Sequence, residues 1–79
     1  MSNPVLTISP MPPTQGEDVT ITLTGGDPNA LIVVSWDPGG ERQYALKDGS
    51  TTIRVPKTAT SMIVSGGGAT PISSSITPR

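Results

Sequence analysis

The chain is 79 residues long with a mass of 8.1 kDa, room for one small domain over residues 1 to 79 and no second. Apolar residues make up 33% of it and aromatics 3%, with one Trp, one Tyr and no Phe, so the interior has to be built from Val, Ile, Leu and Met. The lack of His and Cys excludes imidazole and thiolate metal sites, disulfides and Ser-His-Asp or Cys-His catalysis, and a net charge of -1 gives no bulk attraction for nucleic acid or anionic lipid.

Eleven Thr, nine Ser, nine Gly and nine Pro disfavour helices and suit short strands joined by turns. The first strand is expected at residues 5 to 9, bracketed by Pro4 and Pro10, which belong beside a free edge. Residues 17 to 24 follow the turn Gln15-Gly16, with Val19, Ile21 and Leu23 alternating with Thr20, Thr22 and Thr24, the pattern of a half-buried strand. After the turn cluster at residues 25 to 29, residues 30 to 36 form the most apolar segment and read as a central strand. Asp37-Pro38-Gly39-Gly40 closes a hairpin onto residues 42 to 47, and Asp48-Gly49-Ser50 turns again into residues 51 to 55, stopped by Pro56. Residues 61 to 65 and 71 to 77, joined across Gly66-Gly67-Gly68, complete seven short antiparallel strands at sandwich spacing. Traced up and down, the turns at 25 to 29, 48 to 50 and 66 to 69 gather at one tip. Those at 10 to 16, 37 to 40 and 56 to 60 gather at the other, and the termini leave from opposite tips.

The segments Gly16-Glu17-Asp18-Val19-Thr20-Ile21-Thr22-Leu23, Asp27-Pro28-Asn29 and Val34-Ser35-Trp36-Asp37-Pro38-Gly39-Gly40 carry a resemblance. Together they resemble bacterial and viral immunoglobulin-like domains, above all the PKD type, whose third strand ends in Trp-Asp and a Gly-rich turn. The match runs over about residues 5 to 40. In the second half the family's Gly-x-Tyr-x-Val strand is represented only by Ser61-Met62-Ile63-Val64-Ser65, without the Tyr. The resemblance implies an all-β, immunoglobulin-like two-sheet sandwich and non-catalytic work: adhesion, spacing or surface decoration, in cell-surface modules and tailed-phage virions.

Few residues offer chemistry. Trp36 is expected to pin the two sheets together, with an exposed interface anchor as its other role. Asp37 and Glu41 flank a Gly-rich turn where oxygen ligands could hold Ca²⁺, but two carboxylates make a poor site, and a Pro-Gly hairpin with solvated ends is the plainer reading. Gly66-Gly67-Gly68 lacks the helix and Lys of a phosphate cradle, and Ser73-Ser74-Ser75 has no base to activate it. No cofactor is expected.

The third strand is apolar on both faces. If Trp36 pairs with Glu41, Val33 lies opposite Tyr44 and Leu31 opposite Leu46, so Leu31, Val33, Tyr44 and Leu46 form an outer apolar face of the kind that marks a protein interface. A bulge at Gly39-Gly40 would instead slip the register by one and send Tyr44 and Leu46 to the Trp36 side, leaving Leu31 and Val33 outside. The expectation is a non-enzymatic protein that docks on a protein assembly, a capsid or other virion component, as a tailed-phage decoration protein. Neither nucleic acid nor membrane is a partner in this reading, and a homo-oligomer is a further option. The N-terminus shows no basic and apolar leader pattern, which fits synthesis in a host cytoplasm and residence in the virion. The alternative is a module of a bacterial cell-surface protein, extracellular, binding carbohydrate or acting as a spacer.

Overall fold

The structure, a computed structural model, describes residues 3–79. Seven strands follow one another: β1 (Val5–Ser9), β2 (Asp18–Thr24), β3 (Leu31–Asp37), β4 (Gly40–Ala45), β5 (Ser50–Arg54), β6 (Ser61–Gly66) and β7 (Ala69–Ser75). They form a three-stranded sheet in the order β1-β2-β5 and a four-stranded sheet in the order β4-β3-β6-β7, with antiparallel neighbours throughout. This is an all-β, immunoglobulin-like two-sheet sandwich, and no helix occurs among the described residues.

Strict alternation builds the interior. Leu6 and Ile8 of β1, Val19, Ile21 and Leu23 of β2, Ile32, Val34 and Trp36 of β3, and Met62 and Val64 of β6 all turn inward and are buried. Leu46, Val55, Ala59 and Ile76 close the ends from the connections. No polar side chain is buried among the described residues, so the interior gains from apolar burial without desolvating a charge. Trp36 is 6% exposed, which places it in the core rather than at an interface.

The hairpins decide where strands begin. Gly67 and Gly68 both have positive φ, 65° and 76°, and make a two-residue turn that pairs Gly66 with Ala69. β7 therefore starts and ends two residues earlier than the sequence pattern indicates. Ile76 leaves the ladder, its N–H donating to Thr60 O at 2.9 Å, and turns into the core. Gly66 itself has φ 114°, and a Cβ there would lie 2.8 Å from Leu31 O, so only glycine lets β3 and the β6–β7 turn approach this closely.

Between β3 and β4 the turn is one residue shorter than expected. Trp36 pairs with Gly40, not Glu41, because Gly40 (φ 80°) serves as the first residue of β4 after a three-residue loop. One residue reverses the parity of the whole strand. Ile32 lies opposite Tyr44, Val33 opposite Gln43 and Leu31 opposite Ala45. Tyr44 thus faces the core side, where it is half-buried, and Leu46 is a core residue at 3% exposed. This corrects the pairing that put both on the outer face and matches the slipped register.

The tips assemble as traced. At one, Gly49 N donates to Pro28 O at 2.9 Å, and Gly26 and Gly67 both pack on Leu23, with Pro4 beside Gly26. At the other, Thr60 N donates to Asp37 O at 2.7 Å and Gly16 N to Val55 O at 3.0 Å, with Arg79 alongside Gly16. Pro4 and Arg79 therefore mark opposite ends of a body 39 Å long and about half as wide.

Candidate docking face

The outer face of the four-stranded sheet is set by the same alternation that fills the core. Every second residue of β3 points away from the interior: Leu31, Val33, Ser35 and Asp37. Leu31 is 57% exposed and Val33 half-buried. On β6 the outward positions are Ser61, Ile63 and Ser65, with Ile63 50% exposed. Ser35 lies opposite Ile63 and Val33 opposite Ser65, so Ile63 sits diagonal to Val33, within reach of a branched side chain. Ala45, opposite Leu31, extends the patch onto β4.

These side chains form an apolar strip crossing three strands, with Gln43, Ser35 and Ser65 as neutral surroundings. The outward carboxylates Asp37 and Glu41 stand toward the tip that holds the β3–β4 turn. Beside Ile63 the strip opens into a shallow groove of about 410 Å³ lined by Ser61, Met62, Ile63, Ser73, Ser74 and Ser75. The groove has hydroxyls and apolar atoms but no charged group, and Ser74 Oγ donates to Ser75 O at 2.9 Å rather than to a base. Covering the exposed half of Leu31 and of Ile63 stabilises a contact by about 1 kcal/mol each.

Of the four residues singled out from sequence, Leu31 and Val33 belong to this face, while Tyr44 and Leu46 lie on the core side. Ile63 was missed. The signal was present, because Ser61-Met62-Ile63-Val64-Ser65 is apolar at both parities in the same way as β3, with Met62 and Val64 buried and Ile63 left outside.

The outer face of the other sheet has a different finish. β2 presents Thr20, Thr22 and Thr24, flanked by Val5, Thr7 and Ser9 on one side and by Ser50 and Thr52 on the other, with Val5 53% exposed at its end. The Thr20 and Thr52 hydroxyls are hydrogen-bonded to each other at 3.0 Å, and Asp18 pairs with Arg54 at 3.4 Å.

A second shallow cleft, about 410 Å³ and lined by Gln15, Lys57 and Arg79, lies at the tip holding the C-terminal end. Its geometry is that of a latch: Gln15 Nε2 donates to Ala59 O at 2.8 Å, and Arg79 N donates to Gln15 Oε1 at 3.3 Å. Among the described residues no three acidic side chains converge on a point, so Asp37 and Glu41 gain no third ligand. Among the described residues no helix is long and apolar enough to cross a membrane. No protein family matches the chain, and no curated protein or solved structure is similar to it at a significant level.

Proposed function

We propose that this chain is a non-enzymatic binding protein that docks on a larger protein assembly through the outer face of β3 and β6, as a decoration protein on the capsid of a tailed phage. The observation that carries the reading is the clustering of exposed Leu31 and Ile63 around Val33 on one sheet, while the opposite sheet is finished mainly in threonine and serine, with Val5 its single exposed large apolar side chain among the described residues. Apolar side chains cost free energy in water, and a partner surface removes that cost. The sandwich form and the immunoglobulin-like resemblance over about residues 5 to 40 support the decoration role by analogy alone.

A second reading rests on a separate observation. Pro4 and Arg79 lie at opposite tips of the long axis, the layout of a bead in a string, which favours a spacer module of a bacterial surface protein. Carbohydrate binding fits less well, because stacking on sugar rings calls for aromatic platforms and the chain has one Trp, which is buried, and one half-buried Tyr.

Co-sedimentation decides between them. Purified protein is mixed with tailed-phage capsids that lack it. Wild type saturates a fixed number of sites, and a Leu31→Asp, Val33→Lys variant that keeps its circular dichroism stays in the supernatant. Equal binding by the variant removes this face from the account. Failure of wild type to bind any virion component supports the surface-module reading.

A further inference from the structure

The lateral edges of the sandwich are unequal. Next to β7 the chain folds over: Thr77 N donates to Pro13 O at 2.8 Å and Gln15 N to Thr77 O at 3.0 Å, so Thr14 bridges Thr77 in parallel. β7 also contains Pro71, and its pairing with β6 is irregular between Val64 and Gly66, devices that blunt an edge. β1 stands between Pro4 and Pro10, and β5 is five residues long, held between the tight turn at Asp48-Gly49 and Pro56. On β4 the only such device is a charge on the core side, Arg42, opposite Val34. The strand pairs with β3 over six consecutive residues without a bulge, contains no Pro, and has no strand on its outer side among the described residues. Such an edge presents a row of backbone donors and acceptors to any strand that fits.

We propose that β4 pairs antiparallel with β4 of a second copy, joining two four-stranded sheets into one of eight strands. The charges on the strand suit a second copy and narrow its register. Glu41 and Arg42 are its only charges and they cancel. Centring the two-fold on Glu41 or on Arg42 sets like charges directly opposite, which is unfavourable. Centring it on Tyr44 leaves few pairs, since the chain departs at Leu46, which is buried with its N–H donating to Ala30 O at 2.9 Å. Centring it on Gln43 sets Arg42 opposite Tyr44 of the second copy and Glu41 opposite Ala45, with no like charges facing. Arg42 and the half-buried Tyr44 share one side of β4, where a guanidinium can lie against the ring across the seam. A two-fold axis perpendicular to the sheet keeps both outer faces on the same side, so the dimer sets two copies of the Leu31–Ile63 strip side by side. This inference does not rest on the docking role.

The chain has no cysteine, which makes cross-linking a clean probe of register. Paired residues across antiparallel strands have Cα atoms about 4.5 to 5.5 Å apart, within disulfide range. Under mild oxidation Gln43→Cys forms a covalent dimer, and Glu41→Cys couples to Ala45→Cys when the two are mixed but neither couples to itself. Thr22→Cys, on the opposite sheet, is the control. In sedimentation velocity the wild type shows a reversible dimer at concentrations approaching millimolar, and Arg42→Glu weakens it about tenfold, while Arg54→Glu leaves it unchanged. A wild type that stays monomeric over that whole range, or a Gln43→Cys protein that cross-links no faster than the control, overturns the proposal. Self-coupling of Glu41→Cys overturns the register.

Discussion

The outer face of β1-β2-β5 and the outer face of β4-β3-β6-β7 are made by the same alternation and finished differently, the first mainly in hydroxyls with Val5 at its end, the second with an apolar cluster at its centre. In β2 every outward position from 20 to 24 is Thr, a residue whose branched Cβ suits the pleat and whose hydroxyl meets water or its neighbour, as Thr20 meets Thr52. In β3 and β6 the matching positions include Leu31, Val33 and Ile63. Both finishes allow a good strand, so the threonine face shows that folding does not need the apolar one. On the proposed reading, Leu31 and Ile63 are there for a surface that covers them.

The largest expected effect tests the assignment of inside and outside on which the comparison stands. Trp36→Ala removes the largest buried side chain of β3 and costs about 3 to 5 kcal/mol, most of the stability of a domain this small. Urea unfolding followed by circular dichroism should show the variant largely unfolded at room temperature. A variant that melts like the wild type would make the Leu31 side the core and reverse the comparison.

Gly66→Ala sharpens the contrast by straining the docking face alone. The new Cβ meets Leu31 O at 2.8 Å with φ at 114°, and backbone strain of this kind costs about 1 to 3 kcal/mol. Thermal melts should fall by about 4 to 8 °C for each kcal/mol lost. Amide chemical-shift changes should concentrate at residues 31 to 33 and 63 to 69, leaving residues 20 to 24 in place; changes spread evenly over both sheets would contradict the separation.

Much of this was legible because period 2 is a strong signal where inward and outward residues differ in kind. Val19, Ile21 and Leu23 between threonines place β2 and its buried face without any structure. Trp36, the only residue of its size, could be assigned to the core on similar grounds. Hairpin parity was the weak point. Gly39 and Gly40 both take positive φ, so composition alone does not say whether the loop has three residues or four. That single residue decides whether Tyr44 and Leu46 face the core or the solvent. Ile63 was hidden for another reason: a five-residue strand that is apolar at both parities reads as fully buried until its neighbours are known.

Exchanging the two finishes is the next test in size. Leu31→Thr with Ile63→Thr, both at exposed positions, should shift the unfolding free energy by no more than about 1 kcal/mol, read by chemical denaturation, while removing binding to the particle. The reverse exchange, Thr20→Val, Thr22→Val and Thr52→Val, should change stability as little and yet produce a second sticky face, seen as light scattering that grows with concentration. A larger loss of stability in the first variant would mean that Leu31 and Ile63 serve the fold.

The smallest effect belongs to the one ion pair on the threonine face. Arg54 and Asp18 lie 3.4 Å apart with both side chains mostly in solvent, so Arg54→Ala should cost less than about 0.5 kcal/mol in the same denaturation assay. A larger cost would show that this face contributes more to stability than its hydroxyls and solvent exposure imply.

The central claim, that the outer face of β3 and β6 meets the partner, is tested most directly by hydroxyl-radical footprinting of the protein free and bound to its particle. Among the described residues Leu31, Ile63, Val5 and Met11 are the large apolar side chains most open to the radical, and Val5 lies on the threonine face. The account predicts that binding protects Leu31 and Ile63 and leaves Val5 and Met11 as reactive as in the free protein. Protection of Val5 with Leu31 and Ile63 still oxidised at the free rate would contradict it.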